Sequence, residues 1–180
     1  LTIPDLPDNV LPVEMVTELP FTHLSIDKLL DGLNFSHDLG TRKVVCFGDY
    51  PYSYNGATHV DKFGDMQSSY LVSICHQLED HFPSYMFNSV MVQLYENGNN
   101  YIPLHSDNEE CIADNSYILT LSLGATRTVQ YKRVDNGECV TELKLPHGSV
   151  TVMSKESQFL YRHQIVKDLN CTGKRVSLTF

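Results

Sequence analysis

The residues best placed to do chemistry lie in Tyr95–Glu110, YENGNNYIPLHSDNEE, and within it His105 and Asp107. Side chains on an extended segment alternate, so an imidazole and a carboxylate two residues apart share a face. One further imidazole from elsewhere in the chain would complete a two-histidine, one-carboxylate triad. Such a donor set suits a non-haem Fe(II) and leaves coordination positions open for a cosubstrate and O2. The pair alone does not specify a metal, because an exposed strand end can carry the same two residues. The rest of the chain has to supply the third ligand and its surroundings.

His163, in the alternating run FLYRHQIV, is the candidate third ligand. Arg175 opens RVSLTF, where Arg175, Ser177 and Thr179 fall on one face of a strand. An arginine buried within β structure requires an anion, and its planar fork matches a carboxylate in bidentate fashion. The Tyr95 phenol and the Ser177 and Thr179 hydroxyls would complete such a cradle. A metal triad beside a carboxylate-binding arginine is what a 2-oxoglutarate-using enzyme requires. Other readings stay open: Arg175 pairing with a structural carboxylate such as Asp168, and Tyr95 and Thr179 as polar residues at the core edge. His147 in LPHGS reads as a turn residue, and His76 and His81 as helix-surface or core residues.

These residues need a frame. VMVQLYE (90–96), YILTLSLG (117–124), TRTVQYKR (126–133), CVTELKL (139–145), SVTVM (149–153), FLYRHQIV (159–166) and RVSLTF (175–180) are short β-rich runs. The turn signals NGNN, DNG, PHG and CTGK separate them, which predicts an antiparallel sandwich or barrel. Upstream, residues 1–21 carry four prolines and read as an extended arm. Leu24–Leu33 predicts a short helix capped by Ser25 or Thr22, and Lys43–Phe47 a strand. Asp65–Phe82 carries Met66, Tyr70, Leu71, Ile74, Leu78 and Phe82 at helical spacing, an amphipathic helix stopped by Pro83. Between them GDYPYSYNG (48–56) sets Tyr50, Tyr52 and Tyr54 at period two in a loop or edge hairpin. Such rings can stack on a nucleobase or cover a sheet edge.

At 180 residues the chain predicts one domain, with or without an N-terminal extension. We divide it into an arm and helix (1–43), a tyrosine-bearing segment with its supporting helix (44–87) and a β core (88–180). No apolar run approaches ~18 residues, so no membrane insertion is expected. Five scattered cysteines without a CxxC fit a reducing, cytoplasmic setting rather than a disulfide frame or thiolate zinc site. The chain lacks an initiator Met and opens LTIPDLPDNVLP, which reads as a segment of a longer polypeptide. The net charge of −9 disfavours strong non-specific nucleic-acid binding. It is uneven: residues 1–125 hold 17 acids and 4 Lys/Arg, residues 126–180 hold 5 acids and 9 Lys/Arg. The basic half leaves room for a modest polyanion contact.

The ordered series QLYENG, IPLHSDNEE, ILTLSLGATRTVQYKR, LPHGSVTVMS, QFLYRHQIV and GKRVSLTF resembles the AlkB-type 2-oxoglutarate/Fe(II) dioxygenases over about residues 44–180. In detail it is most similar to the AlkB domains embedded in replicase polyproteins of plant positive-strand RNA viruses. The resemblance implies a mainly β (α+β) fold. Its core would be a double-stranded β-helix (jelly roll), with N-terminal helices packed outside and a nucleotide-recognition lid. It implies His105, Asp107 and His163 as iron ligands, and Arg175 and Tyr95 on 2-oxoglutarate. Glu109 would read the exocyclic nitrogen of the damaged base, with Tyr52 and Tyr54 on the lid's YxY positions. Two departures stand out: Gln93 replaces the asparagine of the family's NxY segment, and the family's second arginine falls at the position after Phe180. The implied activity uses Fe(II), 2-oxoglutarate and O2 to remove N-methyl groups from nucleobases. Single-stranded RNA is the expected substrate, because an unstacked base reaches the metal at lower cost. The isolated domain is expected to be monomeric. Three other readings compete: a 2-oxoglutarate hydroxylase of a protein or small molecule, a zinc hydrolase, and a non-enzymatic jelly-roll binding module.

Overall fold

A computed structural model describes residues 10–16, 20–54, 57–59, 61–62 and 68–180. In chain order its elements are β1 (Glu14–Val16), α1 (Ile26–Leu30), β2 (His37–Asp38), β3 (Lys43–Gly48), β4 (Tyr52–Tyr54), β5 (Ala57–His59), α2 (Ser69–His81) and β6 (Ser89–Tyr95). They continue as β7 (Ile102–His105), β8 (Tyr117–Gly124), β9 (Arg127–Arg133), β10 (Cys139–Leu145), β11 (Ser149–Ser154), α3 (Ser157–Leu160), β12 (Tyr161–Ile165) and β13 (Arg175–Thr179). Seven strands form one antiparallel sheet in the order β1-β11-β8-β13-β6-β3-β2, and four form a second, β10-β9-β12-β7. The two sheets enclose a cavity, in line with the antiparallel sandwich or barrel expected from the strand spacing and with the jelly roll that the resemblance implies. The large sheet draws strands from all three of the segments marked out in the sequence.

The larger hydrophobic core lies on the outer face of the seven-stranded sheet. Val45, Phe47, Val90, Val92, Leu119, Leu121, Leu123, Val150, Val176 and Leu178 point outward, and Leu29 of α1 and Leu71, Ile74 and Leu78 of α2 cover them. The i, i+3, i+7 spacing in α2 puts its three buried residues in one stripe. Serines cap both longer helices: the Ser68 hydroxyl accepts from Leu71 N at 3.2 Å and Ser25 from Lys28 N at 3.3 Å. With the outer face dry and covered, alternation leaves Met91, Gln93, Tyr95, Arg175, Ser177 and Thr179 on the inner face. All six line the cavity.

The structure refines several sequence expectations. The proline-rich arm contributes a strand: Glu14–Val16 pairs with Val150–Val152 of β11. FLYRHQIV is a turn of helix followed by a strand, because Tyr161 is the first residue to pair with β9. The described part of the long helix begins at Ser69, and residues 63–67, including Met66, lie outside the described residues. Tyr52–Tyr54 and Ala57–His59 pair as a small separate hairpin. Among the described residues no helix is long and apolar enough to cross a membrane.

Candidate active site

β7 and β12 are neighbours, and their register sets His105 directly opposite His163. The rings lie 4.2 Å apart between centroids. Asp107 stands beyond the end of β7, in the loop that leaves it, so the two-residue alternation of a strand is not what aligns it with His105. The loop does that work: Asp107 N–H donates to Gln158 Oε1 at 3.0 Å, and the Ser106 hydroxyl to the Tyr161 carbonyl at 2.9 Å. Held there, the carboxylate places Oδ1 3.2 Å from His105 Nε2 and Oδ2 3.4 Å from His163 Nε2. One ligand atom from each residue lies within 4.8 Å of the others, the one such group among the described residues.

Electrostatics match this geometry. Burial alone would raise the Asp107 carboxyl, but the His163 and His105 imidazoles outweigh it and hold it well below the usual carboxylate range. Burial lowers His163, while Asp107 more than offsets burial at His105 and lifts it. His105 Nδ1 faces the Pro103 carbonyl at 2.9 Å, a bond that requires the proton on Nδ1 and leaves Nε2 free to ligate. Tyr131, on the inner face of β9, stacks on His163 at 5.5 Å and 28°. Two imidazole nitrogens and one carboxylate around a common point, in a cavity of about 280 Å³, fit Fe(II) with open positions.

The inner face of the large sheet supplies the second half of the site. Register sets Tyr95, Arg175 and Gly124 on one rung, and Gln93, Ser177 and Ser122 on the next. Met91, Thr179 and Thr120 form a third. Arg175 is 2% exposed. Its Nη2 donates to the Ser122 hydroxyl at 3.0 Å and its guanidinium lies 4.9 Å from the Tyr95 ring, but Nε and Nη1 have no hydrogen-bond partner among the described residues. Asp168 is not its counter-ion; that residue sits in the turn against Gly98 and Cys171. Burial pushes Arg175 below its ordinary value, the mark of a cation short of an anion. A buried guanidinium with two unbonded donors facing a cavity fits a carboxylate ligand. Thr179 Oγ1 is already 3.3 Å from Thr120 Oγ1.

At the mouth, Tyr52 of β4 turns inward over the cavity and its phenol hydrogen-bonds the Glu109 carboxylate. Burial and then Asp107 push Glu109 upward, and its Oε2 is buried without a hydrogen-bond partner among the described residues. Tyr50 points away, 74% exposed, so the period-two spacing of the tyrosines does not bring all three to the rim. Tyr54 is in the hairpin, with its side chain outside the described residues. His147 is the turn residue expected: Nδ1 accepts from Gly124 N–H at 2.9 Å and Nε2 meets the Thr22 carbonyl at 3.1 Å.

Sequence reasoning missed one residue that lines the site, Tyr131, and three that brace it. Tyr131 was legible, since alternation along TRTVQYKR puts Arg127, Val129 and Tyr131 on one face. Gln158, Arg42 and Arg127 were not, because their roles depend on contacts between distant segments. Arg127 is buried and donates to the Asn97, Asn100 and Val166 carbonyls at 3.2, 2.7 and 2.6 Å, a structural brace. Three cations of the basic half gather elsewhere. Lys132, Lys144 and Arg162 lie on the outer face of the four-stranded sheet and form no ion pair among the described residues.

The geometry agrees with what the chain is similar to. The family model of the 2OG-Fe(II) oxygenase superfamily matches residues 25–180. The chain belongs to that superfamily, whose members use Fe(II), 2-oxoglutarate and O2. Its similar relatives are AlkB homologues. The alpha-ketoglutarate-dependent dioxygenase alkB homolog 3 of Bos taurus is 29% identical over 147 residues, 77% of this chain and 50% of that protein. The human DNA oxidative demethylase ALKBH2 is 26% identical over 151 residues, 77% of this chain and 55% of that protein. The chain thus spans about half the length of these curated relatives. The solved structure of OsALKBH1 superposes with a TM-score of 0.58 at 14% identity, covering 94% of this chain and 97% of that one, a likeness of fold.

Proposed function

We propose that this chain is an Fe(II)/2-oxoglutarate-dependent oxidative demethylase that removes N-methyl groups from nucleobases, with single-stranded RNA as its preferred substrate. His105, Asp107 and His163 would hold Fe(II), and Arg175 and Tyr95 would bind the far carboxylate of 2-oxoglutarate with Ser177 and Gln93 beside them. When bound, iron, 2-oxoglutarate and O2 supply oxidation of an N-methyl carbon to a hydroxymethyl group, which leaves as formaldehyde. The protein's own part is to position and exclude. Gln158 and Ser106 pin the loop that carries Asp107, Tyr131 fixes the His163 ring, and Tyr52 roofs the cavity.

The observation that carries the nucleobase reading is Glu109. Its Oε2 is buried, unpartnered among the described residues and two residues from the carboxylate of the triad. A carboxylate acceptor there suits the exocyclic N–H of adenine or cytosine, and the acidic mouth suits the positive charge that methylation at N1 of adenine or N3 of cytosine confers. The Tyr52 ring offers a stacking face. The relatives, a DNA oxidative demethylase among them, point the same way. A zinc hydrolase would leave the unpaired donors of Arg175 idle. A protein or small-molecule hydroxylase would not need Glu109 and Tyr52 at the mouth.

The preference for single strands rests on charge: the protein is acidic overall, and three cations of its basic half, Lys132, Lys144 and Arg162, stand together on one sheet face rather than along a duplex-length groove. Turnover of an N1-methyladenine or N3-methylcytosine RNA oligonucleotide, single-stranded against duplex and against DNA, tests the reading. Glu109→Ala is expected to lose formaldehyde release while retaining Fe(II) and 2-oxoglutarate binding. Unchanged demethylation in that variant would overturn the role given to Glu109.

The finer kinship proposed here is with AlkB domains of plant RNA-virus replicase polyproteins, acting as a monomeric unit of a longer polypeptide in the host cytoplasm. The spelling of the motif series supports it. A native reading frame that continues into replication domains is the expected finding, and a stand-alone frame would overturn it.

A further inference from the structure

The residue at the NxY asparagine position is Gln93, and the structure places a buried cation behind it. β2 and β3 form a hairpin whose connecting loop ends at Arg42, with Leu39 N–H bonded to the Arg42 carbonyl at 3.0 Å. The loop docks on the approach to β7 through Tyr101 N–H and the Thr41 carbonyl at 3.1 Å. Arg42 shares the parity of Val44, which faces Gln93 across β3 and β6, so its side chain enters on the inner face of the large sheet. It is 4% exposed, and its Nε donates to Gln93 Oε1 at 2.5 Å.

This contact settles which way the Gln93 amide points. A guanidinium only donates, so the atom it meets must be the carbonyl oxygen. The Gln93 NH2 is thereby turned away from Arg42, on a side chain that is 7% exposed and lines the cavity. Gln93 stands opposite Ser177, one rung from Arg175 and Tyr95. The amide donor therefore belongs to the same polar wall as the orphaned Arg175 donors.

We propose that Arg42 is a positioning residue for the cosubstrate: it locks Gln93 with its amide donor toward the cavity, and the pair replaces the asparagine of the family pattern as one unit. The extra methylene is then a requirement rather than a tolerated change. An asparagine at 93 is shorter by one bond, about 1.5 Å, and cannot both face the cavity and reach Arg42. This inference rests on the reading of the cavity as a 2-oxoglutarate site.

The test is equilibrium binding of 2-oxoglutarate to the Mn(II)-loaded protein without O2, by titration calorimetry, with urea unfolding of each variant alongside. Gln93→Asn, which restores the family residue, is expected to weaken binding by about tenfold, the order of one hydrogen bond to a charged ligand. Arg42→Met is expected to weaken it by a similar factor, with partial rescue by Arg42→Lys. The double variant Arg42→Met/Gln93→Asn should bind no worse than the weaker single one, because the two act together. Should Arg42→Met not fold, Gln93→Asn still decides. Wild-type affinity or better in Gln93→Asn, or losses that add in the double variant, would overturn the proposal. Absence of 2-oxoglutarate binding in the wild type removes the cosubstrate reading and this inference with it; binding unaffected in the variants removes the inference alone.

Discussion

Two arginines are buried against the same tyrosine, and they should respond to the same substitution in opposite ways. Arg175 lies 4.9 Å and Arg127 5.8 Å from the Tyr95 ring. Arg175 has one hydrogen bond and two orphaned donors. Replacing it by Met removes a desolvated cation that the unliganded fold leaves underused, so the free protein should melt at or above the wild-type temperature. Buried charges exchanged for apolar side chains of similar size are often neutral or stabilising by about 1–4 kcal/mol. The cost should fall on the cosubstrate instead. Two charge-assisted hydrogen bonds are worth about 1.5–3 kcal/mol each, so 2-oxoglutarate affinity should drop by roughly a hundredfold to ten-thousandfold. Thermal shift makes the split visible. A ligand at 100 times its Kd stabilises by about 2.7 kcal/mol, and in a domain of this size each kcal/mol moves Tm by about 2–4 °C. The wild type with Mn(II) and 2-oxoglutarate without O2 should therefore shift by about 5–10 °C, and Arg175→Met by at most about 1–2 °C at the same concentration. A free variant that melts far lower, with cosubstrate affinity intact, would refute the reasoning and make Arg175 a brace.

Arg127→Met should do the reverse, costing about 3 kcal/mol or more in urea unfolding because several buried carbonyls lose their donor. Gln158→Leu removes the acceptor that holds Asp107 N–H; Fe(II) affinity should fall by about 10- to 100-fold with little change in far-UV circular dichroism. Ser68→Ala uncaps α2 and should cost about 1 kcal/mol, read as a fall in Tm of about 2–4 °C with 2-oxoglutarate affinity unchanged.

Alternation carried the sequence reading furthest. In β6, β8 and β13 it separates an apolar outer set from a polar inner set, and that separation made the Arg175, Ser177 and Thr179 face legible. It worked because both faces are buried, so each parity answers to one environment. It failed where strands end. Asp107 is aligned by the loop contacts to Gln158 and Tyr161, which no local pattern encodes. β7 is short and contains Pro103, permitted because β7 is an edge strand. The strand in the proline-rich arm exists only because β11 offers an edge to pair with. Arg42 lay in a hairpin outside the motif series, and its role depends on Gln93, 51 residues away. Tyr50 was grouped with Tyr52 by spacing, but it precedes the strand and escapes its alternation.

The central claim is that the triad and the Glu109 mouth act together on a methylated base. The most direct measurement is the ratio of formaldehyde to succinate from the Fe(II)-loaded protein with 2-oxoglutarate, O2 and a single-stranded RNA bearing N1-methyladenine, beside His105→Ala. The account predicts one formaldehyde per succinate and neither product from the variant. Succinate formed at a rate indifferent to the RNA, with no formaldehyde, would contradict it.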